Sequence, residues 1–141
     1  MQDSRCRRLT GLMLGLAVLL GGCTSLTGGA ATDDGINVRP VNYKAQILGA
    51  MHAYLNDPTG IRDAGIAEPA LKPVGAGTRY VVCVRYNARK GRNQYVGVKE
   101  AAAVFVAGRF DRFVATAHGT SQDQCAGAVY APFPELQKLT P

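Results

Sequence analysis

The stretch RYVVCVRYNARKGRNQYVG, residues 79–97, places a cysteine between arginines on a predicted strand. Arg79 and Arg85 flank Cys83, and nearby positive charge lowers the pKa of a thiol and favours its reactive thiolate. His118, in a polar loop further along the chain, is a histidine that could serve such a nucleophile as its base. One hypothesis is therefore a small thiol, redox or hydrolytic enzyme that uses Cys83 with His118.

The cysteine count favours a different role for Cys83. Of the four cysteines, Cys6 and Cys23 lie at the N-terminus, which leaves Cys83 and Cys125 in the remainder of the chain. Two cysteines in an exported domain meet an oxidising compartment, where disulfides form and persist. We therefore expect a Cys83–Cys125 disulfide. A reactive Cys83 thiol and an intermolecular link remain as alternatives.

The same hairpin carries a second candidate site, which we name the basic hairpin. Its members are the cationic and aromatic residues around one predicted turn: Arg85, Arg89, Lys90, Arg92, Tyr95 and Lys99. Such a surface can hold the phosphate or carboxylate groups of an anionic partner. The alternative is that the basic side chains protect the end and edges of the hairpin from aggregation.

The N-terminus predicts export from the cytoplasm. Arg5, Arg7 and Arg8 precede the uncharged apolar run Leu9–Leu20. As a helix this run is about 18 Å long, which is too short for the ~30 Å hydrocarbon core of a bilayer. It therefore indicates a secretion signal rather than a transmembrane helix.

The end of this signal, LGGC at residues 20–23, resembles the bacterial lipobox. The resemblance implies that residues 1–22 are a lipoprotein signal peptide and that the Cys23 thiol takes a diacylglyceryl group. Two or more acyl chains, palmitate among them, then anchor the protein stably in a membrane. Thr24 stands where inner-membrane lipoproteins carry aspartate, which favours the periplasmic leaflet of the outer membrane. An ordinary signal peptide with Cys23 unmodified is the alternative.

Removal of residues 1–22 leaves 119 residues, enough for one domain. This mature chain has thirteen basic and nine acidic residues, a formal charge of +4. So mild a basic bias, in an exported protein, argues against nucleic acid as a partner. No catalytic nucleophile motif, phosphate-binding glycine loop or paired metal-ligand motif is present, and the carboxylates are scattered. We therefore predict no cofactor, no metal and no enzyme activity.

Residues 23–40 predict a lipidated cysteine followed by a flexible tether, and residues 41–141 predict a single domain. An apolar stripe from Tyr43 to Leu55 indicates a helix, capped by Asn42 and ended at Pro58. Period-two alternation predicts strands over 79–89 and 109–117, and a partner strand is expected between them over 94–106. Their predicted turns are KGRN at 90–93, with Gly91 at positive φ, and Ala107-Gly108.

These elements predict an α+β fold, with one N-terminal helix on a small antiparallel β-meander of three to four strands. The even positions of the first strand, Tyr80 to Tyr86, are expected to face the helix. The opposite face, with Cys83, is expected to be covered by a C-terminal return segment that the disulfide pins, and Pro134 opens a short last helix. An irregular or edge strand through Ile61 and Ile66 is expected to end at Pro69 and Pro73.

The mature domain also resembles small exported bacterial proteins of uncharacterised families. The resemblance covers roughly residues 45–105 and is carried by Asp57-Pro58, Val82-Cys83, Asn87-Ala88-Arg89, and Tyr95 with Gly97. The turn KGRN departs from it, because those proteins often have small residues there. The resemblance implies a compact α+β domain with a disulfide, and it implies no activity or ligand.

These features together predict a non-enzymatic, membrane-anchored lipoprotein that faces the periplasm. We expect it to act in envelope assembly or integrity by binding an envelope protein, peptidoglycan or lipopolysaccharide. A subunit similar to the small lipoproteins of the outer-membrane β-barrel machinery is a further alternative. The paired N-terminal helices typical of those proteins are not visible in this sequence.

Overall fold

The computed structural model describes residues 35–140. The predicted signal peptide, Cys23 and most of the predicted tether lie outside the described residues. None of the helices within 35–140 is long and apolar enough to cross a membrane. The elements in chain order are α1 (Tyr43–Tyr54), β1 (Arg62–Ile66), β2 (Ala70–Val74), β3 (Gly77–Gly91), β4 (Gln94–Val106), β5 (Arg109–Ala115), β6 (Ala131–Pro132) and α2 (Pro134–Gln137).

The strands form one antiparallel sheet around β3. Its order is β5-β4-β3-β1-β6, and β2 pairs with β3 beside β1. β2 pairs with the first half of β3, and β1 pairs with the second half. The predicted combination of an N-terminal helix with an antiparallel sheet is confirmed. The predicted number of three to four strands is wrong, because residues 35–140 contain six.

The additional strands lack the alternation that makes a strand visible in a sequence. In β1 the pairing with β3 slips between Arg62 and Gly65, and Asp63 has a positive φ of 53°. β2 contains Pro73, which was expected to end a strand. Proline is tolerated there because β2 is an edge strand, whose outer side needs no N–H donor. β6 has only two residues.

The two tight turns of the meander differ in how well they were predicted. Ala107 and Gly108 both have positive φ, as the turns that suit a two-residue hairpin require. The N–H of Ala107 also donates to the Ile36 carbonyl at 2.7 Å, which fixes the first described residues against this turn. At the other hairpin, β3 continues to Gly91, and Asn93 rather than Gly91 takes the positive φ. Asparagine tolerates that conformation because its side chain can bond locally.

One face of the sheet, which we name the helix face, carries the larger core. Val82, Val84 and Tyr86 of β3 pack there with Ile47 and Met51 of α1, as the alternation predicts. Asn42 precedes α1 but makes no side-chain capping hydrogen bond, contrary to expectation. The predicted C-terminal helix is present as α2, with proline in its first turn.

The opposite face, which we name the bridge face, is covered by the segment that follows β5. Val81, Cys83, Ala102 and Val104 form a second buried cluster with Cys125. Cys83 and Cys125 are joined by a disulfide, with their Cα atoms 5.7 Å apart. The predicted pairing and the predicted position of the return segment are therefore both present.

Reduction of this disulfide should lower the free energy of unfolding by about 2–4 kcal/mol, because the bond closes a long loop in the unfolded chain. The bonded residues are 42 positions apart. The measurement is a denaturant titration of the oxidised protein, of the protein with reductant, and of the Cys83→Ala/Cys125→Ala variant. Equal unfolding midpoints for the oxidised and reduced protein would contradict the role assigned to the bond.

Candidate functional site

The sheet divides the basic hairpin between its two faces. Arg85 lies on the bridge face, where its guanidinium is 5.0 Å from the ring centre of Tyr130. Lys99 lies opposite Tyr86 in the β3–β4 register and therefore belongs to the helix face. The six predicted residues do not form one continuous surface.

Two of the predicted cations, Arg89 and Lys99, line one pocket on the helix face. This pocket, which we name the hairpin pocket, has a volume of about 220 Å³ and is also lined by Tyr54, Tyr86 and Asp57. Its walls are completed by Leu55, Asn56, Ala88 and Val96. Burial, together with the neighbouring Tyr54, raises the pKa of Tyr86 to about 12, so its hydroxyl remains a hydrogen-bond donor at neutral pH. Two cations and two phenols over an apolar floor suit an anionic group with a small apolar part.

A glycine allows the arginine of the hairpin pocket to pack closely. Gly60 has a φ of 62°, and a Cβ added to it would lie 2.9 Å from Cδ of Arg89. Tyr95 holds the same turn, because its hydroxyl donates to the Gly60 carbonyl at 3.0 Å. The guanidinium of Arg62 lies over the Tyr95 ring at 4.2 Å. Tyr95 therefore has a structural role beside the pocket and does not line it.

Asp57 reduces the positive charge of the hairpin pocket. Its Oδ1 accepts hydrogen bonds from the hydroxyl of Thr59 at 2.5 Å and from the Thr59 N–H at 2.9 Å. These bonds, with a smaller contribution from Arg89, lower the pKa of Asp57. The carboxylate is consequently ionised at neutral pH and offsets one of the two pocket cations.

The remaining two cations of the basic hairpin lie at its end. Lys90 and Arg92 are exposed on either side of Gly91, next to the turn at Asn93. Neither lines the hairpin pocket. They extend its positive charge along the end of the hairpin, and they also suit the protective role that was the alternative.

The structure does not bring Cys83 and His118 together as a nucleophile and its base. The sulfur of Cys83 is bonded to Cys125. Nδ1 of His118 lies 3.6 Å from the Glu100 carboxylate and 3.4 Å from that of Asp123. Its Nε2 lies 3.1 Å from the hydroxyl of Thr116. His118 therefore fastens the loop after β5 to β4.

The bridge face carries a further polar contact beside this histidine. Burial, and the Glu100 carboxylate next to it, raise the pKa of Tyr130 above the usual range for tyrosine. The Arg85 guanidinium over the Tyr130 ring is at a distance typical of a cation–π contact. Arg85 is therefore engaged within the fold, and it is the least suited of the predicted cations to hold a partner.

Metal binding and similarity to known proteins add no site. Within residues 35–140, no group of three His, Cys, Asp or Glu side chains is arranged to hold a metal ion. No protein-family model, curated protein or solved structure matches the chain.

The two phenols and the carboxylate of the hairpin pocket were not predicted as site residues. Tyr54 and Tyr86 fit the apolar pattern of their elements, which indicates core packing, and the sequence contains no signal that their hydroxyls converge. Asp57 directly precedes Pro58, a position typical of a carboxylate that bonds nearby backbone, and it does accept a hydrogen bond from the Thr59 N–H. The sequence contained one signal that Asp57 could also line a charged pocket. It places this carboxylate just after a helix, and a cationic hairpin follows along the chain.

Substitution of Asp57 by asparagine should destabilise the fold at neutral pH and have no effect at low pH. The folded-state pKa is lowered, so the carboxylate contributes stability above its unfolded pKa of ~3.9 and loses it as pH falls through the folded value. Denaturant midpoints of Asp57→Asn and the parent near pH 7 and about pH 2 test this. Glu135→Gln, on α2, serves as control. A midpoint difference that persists at low pH would contradict the assignment.

Proposed function

We propose that this protein is a lipoprotein, anchored through Cys23 in the periplasmic leaflet of the outer membrane, whose folded domain acts by binding. The observation that carries the proposal is the N-terminal pattern of arginines, a short apolar run and the residues LGGC. The disulfide between Cys83 and Cys125 supports it, because such bonds persist in an oxidising compartment.

The binding role is supported by the state of the two residues that suggested catalysis. Cys83 has no thiol while it is bonded to Cys125, and His118 is engaged with Glu100 and Asp123. The domain then serves envelope assembly or integrity as an accessory protein that contacts a partner.

The partner that the hairpin pocket favours is an anionic polymer of the envelope, either peptidoglycan or lipopolysaccharide. Arg89 and Lys99 converge on the pocket, and Lys90 and Arg92 continue the charge toward the hairpin end. Arginine and lysine hold carboxylate and phosphate groups by charge-assisted hydrogen bonds. The small pocket volume suits one sugar-borne anionic group rather than a whole chain.

The anchor is tested by the substitution Cys23→Ser. It removes the sulfur that the lipobox resemblance assigns to the diacylglyceryl group, so the protein should leave the membrane fraction and lose incorporation of labelled palmitate. Cell fractionation with immunodetection measures the first result. Cys6→Ser, within the predicted signal peptide, is the matched control and should leave both unchanged. Unchanged membrane retention of Cys23→Ser would refute anchoring through that residue.

The binding surface is tested by charge reversal at Arg89 and Arg92. The Arg89→Glu/Arg92→Glu variant should lose salt-sensitive binding to purified peptidoglycan fragments or lipopolysaccharide. Lys138→Glu, an exposed reversal near the C-terminus, should bind as the parent does. Asp57→Asn should bind more tightly, since it removes the carboxylate that opposes the anion. Sedimentation with peptidoglycan and calorimetry with lipopolysaccharide measure these effects.

Two outcomes of the binding test lead to different conclusions. Parent-like binding by the Arg89→Glu/Arg92→Glu variant would leave protection of the hairpin end as the role of these cations. Loss of binding with an unchanged unfolding midpoint would assign the site to the hairpin pocket together with the hairpin end beside it.

A further inference from the structure

A second, larger cavity opens on the bridge face, at the junction of β1 and β2. Ile66 pairs with Val84, and Ala70 pairs with Val81. Three residues separate Ile66 from Ala70, whereas only two separate the facing residues of β3. The chain between β1 and β2 therefore bulges outward. On the other side, β6 pairs with β1 only through Gly65↔Pro132 and Ile66↔Ala131. Residues 127–130 therefore leave the sheet edge, and a groove opens between them and β2.

The groove is apolar and large enough for a small-molecule ligand. Its volume is about 420 Å³, within the range of roughly 300–1,000 Å³ usual for ligand sites. The lining is formed mainly by apolar groups: Ile66, Ala67, Ala70, Val81, Ala128 and the ring of Tyr130. Val129 at the rim is 86% exposed, an apolar side chain that nothing in the described residues covers.

The strand that borders the groove is unsuited to pairing with a peptide. Pro69 and Pro73 have no N–H, so two donors are missing along this edge of the sheet. Their carbonyl oxygens already accept hydrogen bonds, from Nη1 of Arg39 at 3.0 Å and from Nε2 of Gln124 at 2.8 Å. A ligand in the groove finds apolar surface and few backbone partners, which suits a hydrocarbon chain and disfavours an added strand.

The groove carries more positive than negative charge. Lys44 of α1 and Lys72 of β2 both line it. Glu68 lines it as well, but its carboxylate is 3.2 Å from the Arg39 guanidinium and accepts a hydrogen bond from the Tyr43 hydroxyl at 2.9 Å. With Glu68 compensated in this way, the lysines supply the net charge that a ligand meets.

We propose that this groove binds one acyl chain of an anionic lipid, with the carboxylate or phosphate of the headgroup held by Lys44 and Lys72. The apolar lining suits the acyl chain, and the two lysines suit the negative charge of the headgroup. Arg39 binds the Pro69 carbonyl at the edge of the groove, so the N-terminal segment enters the fold beside it. If the chain is anchored as proposed above, the groove lies beside the segment that leads toward the anchor; the apolar lining and the two lysines are present with or without it.

The test is calorimetric titration of the full-length Cys23→Ser protein with a saturated fatty acid, kept below its micelle concentration. We expect saturable binding at one site per chain. Ala70→Trp fills the groove from an exposed position and should weaken binding by about tenfold or more. Ala76→Trp, in the turn between β2 and β3, adds the same ring outside the groove and should leave binding unchanged.

The headgroup contact is tested separately, in case Ala70→Trp does not fold. Lys44→Glu/Lys72→Glu should weaken binding of the fatty acid and leave binding of the alcohol of equal chain length unchanged. Absence of saturable binding would overturn the proposal, as would equal effects of the two tryptophan variants. A stable dimer in analytical ultracentrifugation that Ala70→Trp dissociates would show that a second copy covers the groove, and would also overturn it.

These results are independent of the hairpin pocket. Arg89→Glu/Arg92→Glu should bind the fatty acid as the parent does, because both residues lie outside the groove lining. Loss of peptidoglycan or lipopolysaccharide binding and loss of fatty acid binding therefore report on different sites.

Discussion

The disulfide between Cys83 and Cys125 determines how the bridge face of the sheet is covered. On the helix face, α1 and α2 pack on the sheet through buried apolar side chains, without a disulfide in this cluster. The bridge face is covered by a segment with little regular structure, and ordering such a segment costs conformational entropy that its packing and the disulfide together offset. The disulfide fixes this segment at the centre of β3. The segment that it fixes also supplies one wall of the apolar groove and the contacts of Tyr130 and His118.

The central part of the fold was predictable from the alternation in β3 and from the turn signals on either side of β4. The bounds predicted for β4, 94–106, are those observed, and the faces of β3 follow from the even and odd positions of a single stretch. The disulfide was predictable from the count of cysteines together with the predicted export signal. The strand predictions rest on local patterns that tertiary structure does not override.

The rest of the fold depends on pairings that leave no local pattern. β1 has a bulge at Asp63, β2 contains Pro73 and β6 is two residues long, so each is recognisable only once β3 is present as its partner. The same holds for the sites. The basic hairpin was recognised as a cluster in sequence, but alternation of the strands sends Arg85 and Lys99 to opposite faces. The groove arises from a mismatch between β1, β2 and β6 that composition does not reveal.

The contact between Ile36 and Ala107 has a consequence for how a tethered molecule is oriented. It fixes the start of the domain at the turn between β4 and β5, whereas the basic hairpin end lies at the opposite end of β4. The 13 residues of β4 separate these ends by about 40 Å at roughly 3.3 Å per residue. If the chain is anchored as proposed, the domain is therefore held at one end of its longest hairpin and carries its cations at the other. Its cationic end then points away from the proposed membrane, at a distance close to the length of that hairpin.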